Sequence, residues 1–175
     1  EGGHRVPFMV RWPGVVKAGS VCDQLVQHAD LLATCAEIVG ASLPDTAGED
    51  SVSLMPLLAG GDEPVRESAV NCSAGGLLAI RHGPWKLIFG PGSGGWGQGR
   101  DSQLGQLYNL DEDLAESKNR FAEKPEIVAE LTALMEKVVS QGRSTPGASQ
   151  ANDQPVNWKR FMQGDGPPKK KAKAA

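Results

Sequence analysis

Hydrophobic and polar positions divide the chain into stretches of different period. Residues 6–12 (Val-Pro-Phe-Met-Val-Arg-Trp) form an apolar run between Gly2-Gly3 and Pro13-Gly14, the pattern of a buried strand closed by a turn. A central, parallel strand is predicted there. Asp30 then stands where a helix N-cap is expected, and Leu31, Leu32, Cys35, Ile38 and Val39 recur at the helical period before Gly40, so this face is predicted to pack inward. Residues 51–60 are apolar but contain Pro56, which favours a helical turn over a strand.

From residue 67 the pattern shortens. Residues 68–72, 77–81, 85–89 and 106–110 read as four short strands separated by Gly or Pro turns, predicting a small antiparallel sheet. Between the third and fourth lies a stretch, 90–105, with seven glycines and with Trp96, Arg100 and Asp101. It is too long for a hairpin turn, and loops of this kind often touch ligands. The clearest helix is 125–141, where Ile127, Val128, Leu131, Leu134, Met135, Val138 and Val139 form one stripe, started by Pro125 and stopped by Gly142. Residues 143–175 are dominated by Ser, Gly, Pro, Gln, Asn and Ala, with Trp158, Phe161 and Met162 as the only anchors; mostly disorder is predicted, ending in a basic tail.

Composition narrows the function classes. A chain of 175 residues, 39% hydrophobic and 22% charged, has room for one domain or a domain with a satellite. The net charge of −3 conceals an asymmetry: without the four lysines after Pro168, 14 bases face 21 acids, a net −7. That argues against a nucleic-acid-binding core, and the lysine end reads as a solubilising appendage. No stretch approaches the roughly 18 apolar residues of a membrane helix. Cys22, Cys35 and Cys72 lie far apart with no CxxC pair, so neither structural zinc nor a disulfide scaffold is expected; Cys35, on the apolar helix face, is expected in the core. The chain opens on Glu1 inside a Gly-rich turn, and preceding sequence is expected.

The first candidate for chemistry is that turn. Two glycines permit close backbone approach before the strand, and His4 and Arg5 then offer donors and positive charge to an anion, Arg through its planar fork. Glu1 would hold Arg5 in position; equally, Glu1 and Arg5 form a structural ion pair and His4 packs. Elsewhere the signals are weak. His28 and His82 have no nucleophile or acid at a recognisable spacing, no Gly-x-Ser-x-Gly occurs, and Gly95-Trp96-Gly97-Gln98-Gly99 lacks the following helix of a phosphate loop. Asp45, Glu49 and Asp50 cluster in a loop and read as solvated.

Taken in order, several blocks resemble the type I, formylglycine-dependent sulfatases. They are Glu1-Gly2-Gly3-His4-Arg5-Val6-Pro7-Phe8 with Arg11-Trp12-Pro13-Gly14; Asp30-Leu31-Leu32-Ala33-Thr34; Asp50-Ser51-Val52-Ser53-Leu54-Met55-Pro56-Leu57-Leu58; Ala79-Ile80-Arg81, Gly83 and Trp85-Lys86-Leu87; and Leu107-Tyr108-Asn109-Leu110 with Asp113, Glu116 and Asn119. The resemblance covers about residues 1–140, the family's C-terminal portion. Ala33 and Leu114 stand where the family usually has Pro.

The resemblance implies an α/β fold: residues 1–61 as the end of a large alkaline-phosphatase-like domain, 62–142 as a C-terminal subdomain of four antiparallel strands plus a helix, and 143–175 as the disordered basic tail. It implies a hydrolase, an arylsulfatase-like sulfuric ester hydrolase acting on a sulfated small molecule or glycan, with calcium and a formylglycine in the intact enzyme. None of the three cysteines lies in the Cys/Ser-x-Pro/Ala-x-Arg motif that is converted to formylglycine, so no catalytic residue and no metal ligand is expected in this chain. Both, with the sulfate-binding Lys, are expected upstream in the N-terminal part of the same domain, which becomes its partner. His4, Arg5, Trp96 and Arg100 are the candidate substrate-binding residues. Export to the periplasm or outside the cell is a further implication. The residues leave open a non-catalytic anion- or polymer-binding module, and a phosphodiesterase or phosphonate hydrolase of the same superfamily.

Overall fold

The computed structural model describes residues 1–92 and 103–163. Along them run α1 (Asp30–Ile38), α2 (Met55–Leu58), β1 (Ser68–Cys72), β2 (Leu78–His82), β3 (Trp85–Ile88), β4 (Gln106–Asn109) and α3 (Pro125–Gln141). The chain divides into two compact units, one of Glu1, Val70–Leu131 and the described part of Pro155–Ala175, the other of Gly2–Ala69 and Thr132–Gln154; the division falls within β1 and within α3.

The first unit is built on the sheet, in the order β1-β2-β3-β4. A two-residue loop joins β2 to β3, with His82 opposite Trp85. Gly83 there takes φ 53°, the positive angle that tight hairpin loops need and that glycine adopts without steric cost. Ile80 pairs with Leu87, and Leu87 with Leu107; these three and Phe89 have no exposed surface. The β4 edge is tied by side chains. Asn119 accepts hydrogen bonds from the Leu107 and Phe121 amides, each 2.9 Å, and donates to the Gly105 carbonyl. Gln106 donates to the Gly90 and Gly92 carbonyls, each 2.8 Å.

Of the segment predicted as mostly disordered, the structure describes residues 143–163. Trp158 and Phe161 are buried, the Trp158 ring meeting Phe89 edge-on with centroids 4.7 Å apart, and Phe161 lying against Gly90, where a Cβ would come within 2.6 Å of it. These two aromatic side chains anchor the segment to the core of the sheet unit. The four lysines of the basic tail lie outside the described residues.

The second unit is organised around α1. The face toward its neighbours is not the predicted one: Asp30, Thr34 and Ala36 are buried, whereas Leu31, Leu32, Cys35, Ile38 and Val39 are exposed, Val39 at 75%. Hydrogen bonding selects the face. Thr34 Oγ1 accepts from the Leu54 amide, Asp30 Oδ1 from Val52, and Ser51 Oγ from Ala33, docking the segment before α2 on the polar side. Nor is Asp30 the N-cap; that position is Ala29, and Asp30 opens the helix.

Residues 6–12 form no strand, and Val6, Phe8, Val10 and especially Met9, at 88%, are exposed. A parallel strand needs neighbours to take its N–H and C=O groups, and the one sheet among the described residues does not include this segment. Residues 143–154 continue the unit, with Arg143 buried and donating to the Asp45, Thr145 and Ala148 carbonyls. No described helix is long and apolar enough to cross a membrane.

Candidate functional site

Lys86 is central to β3, opposite Arg81 on one side and Tyr108 on the other, and is 2% exposed. Its ammonium donates to Glu1 Oε1 at 2.8 Å and to Glu116 Oε1 at 2.6 Å. A buried ammonium persists only with such partners. Burial alone would raise the Glu1 carboxyl, but the Lys86 hydrogen bond and charge, with Arg81, outweigh it and hold the group below its ordinary value. Burial would likewise lower Lys86, and its bonds to Glu1 and Glu116 instead raise it.

Glu116 is the one non-glycine described residue with positive φ, 55°. Its turn is shaped by Asp113, whose carboxylate accepts from the Lys118 amide at 2.8 Å and the Ser117 hydroxyl at 2.9 Å. Hydrogen bonds from Lys118 and Ser117 hold that carboxyl below the usual range.

Glu1 therefore does not hold Arg5, as the sequence predicts; its salt bridge is to Lys86. His4 and Arg5 follow on an exposed turn, closed by a hydrogen bond from the Val6 amide to the His4 carbonyl at 3.1 Å. Trp96 and Arg100 lie outside the described residues. The cluster escapes sequence reading because its members stand 85 and 30 residues apart; the only trace is that each occurs in one of the resembling blocks.

In the acidic loop, the Asp50 carboxylate accepts from the Ser144 amide and the Glu49 carbonyl from Thr145. His28 is exposed, and buried His82 Nδ1 has no partner among the described residues. Cys22, Cys35 and Cys72 are free and exposed, and none has the Pro and Arg spacing of a formylglycine motif. No group of three or more His, Cys, Asp or Glu among the described residues could hold a metal ion. The described residues thus do not fit calcium, and no cysteine of the chain fits a formylglycine.

No family model matches the chain. It is 35% identical over 143 residues to the N-acetylgalactosamine-6-O-sulfatase of Bacteroides thetaiotaomicron, covering 79% of this chain and 28% of that protein. It is 45% identical over 60 residues to the steryl-sulfatase of Homo sapiens, covering 34% of this chain and 10% of that protein. A solved Bacteroides thetaiotaomicron structure, described with the metabolism of multiple glycosaminoglycans, superposes with a TM-score of 0.65 at 34% identity over 75% of this chain and 28% of that one. The chain spans less than a third of the length of these relatives. The expected alkaline-phosphatase-like fold, with its small four-stranded antiparallel sheet and C-terminal helix, is borne out. By sequence and by fold, the chain belongs to the sulfatases and corresponds to their C-terminal portion.

Proposed function

We propose that the whole protein is a sulfuric ester hydrolase that releases inorganic sulfate from an organic sulfate, a carbohydrate sulfate above all. The observation that carries this reading is the 35% identity over 143 residues to an N-acetylgalactosamine-6-O-sulfatase. Its chemistry accords with the exposed turn. Cleavage of a sulfate monoester develops negative charge on the bridging and non-bridging oxygens, which fixed donors and cations stabilise. Arg5 supplies a planar, always charged fork and His4 an imidazole N–H donor; their role is to bind and orient the anionic ester. In the intact enzyme calcium would supply polarisation of the sulfate and a formylglycine would supply the nucleophile. The described residues offer no site for either.

The test is release of inorganic sulfate by the whole protein from 6-O-sulfated N-acetylgalactosamine and from an aryl sulfate, with a phosphodiester in parallel. Sulfate release with little phosphodiester cleavage is expected; the reverse preference would make the protein a phosphodiesterase. No turnover of any ester, with retained binding of sulfated polymer, would make it a binding module.

A further inference from the structure

We draw no further inference here: the strongest candidate, the apolar face of α1 and its C-cap, where Leu31, Leu32, Ile38 and Val39 are exposed, carries nothing because nothing in the structure shows what covers it.

Discussion

Arg66 grips Asp30 with both arms of its guanidinium, Nε donating to Oδ2 at 3.1 Å and Nη2 to Oδ1, with both side chains buried. Arg66 also donates to Gln27 Oε1 and to the Ser68 and Asp50 carbonyls, and Asp30 accepts from the Gln27 and Val52 amides. One ion pair thus ties the start of α1 to the segments on either side of α2. Breaking a buried pair from one side leaves a charge without its partner, so Arg66→Met is expected to destabilise the fold by about 3–5 kcal/mol. Urea denaturation checks this. Asp30→Asn combined with Arg66→Met should cost clearly less than the sum of the single changes, and strict additivity would contradict the coupling.

The Lys86 cluster makes a pH prediction with two limbs. Glu1 is held below its ordinary 4.5, so its contribution is present above that value and is lost as pH falls through the depressed folded value. Lys86 is raised above its ordinary 10.5, so its contribution is complete below 10.5 and is lost as pH rises through the elevated one. Unfolding free energy measured against pH should therefore carry a cluster contribution that is flat between the two. In Lys86→Met the alkaline loss should vanish and the acid loss shrink; identical pH profiles would refute the assignment.

Trp158 belongs to the sheet's core, through its edge-on contact with Phe89. Trp158→Ala is expected to cost about 3–5 kcal/mol, as for other large aromatic truncations. A substitution of exposed Val156 should stay within about 0.5 kcal/mol. Thermal or urea unfolding distinguishes the two, and equal small effects would return residues 155–163 to the status of a loose tail.

Gly142 ends α3 at φ 61°, and a Cβ there would strike the Gln150 carbonyl. Both the backbone angle and the space oppose a side chain, so Gly142→Ala should destabilise by about 1–3 kcal/mol. Gly14 also has positive φ, 88°, but nothing within 4 Å of its Cβ position. Gly14→Ala should therefore cost less than Gly142→Ala in the same unfolding assay.

Elements whose periodicity and partners lie close in sequence were legible. The α3 stripe, its Pro125 start and its Gly142 stop fix that helix over the predicted residues, and the four strands fall within a residue of expectation because Gly or Pro turns separate most of them. The α1 stripe misled, since an apolar face shows that something covers it without saying what. Here Asp30 and Thr34 choose the packed side through hydrogen bonds to residues 52 and 54. The run 6–12 failed as a strand for the same reason, a pattern awaiting neighbours. The turn at residues 2–5 was visible from its glycines, but the partner of Glu1 was not. A lysine in mid-strand reads as a solvated side chain, and an ion pair spanning 85 residues leaves no spacing to read.

Inorganic sulfate released by the whole protein from a 6-O-sulfated N-acetylgalactosamine decides the account. It should be measured for the unaltered protein and for a variant with Cys22, Cys35 and Cys72 all replaced by Ser. Sulfate release at comparable rates from both is predicted, because none of these cysteines stands in a formylglycine motif. Absence of release from the unaltered protein, or its loss in the cysteine variant, would contradict it.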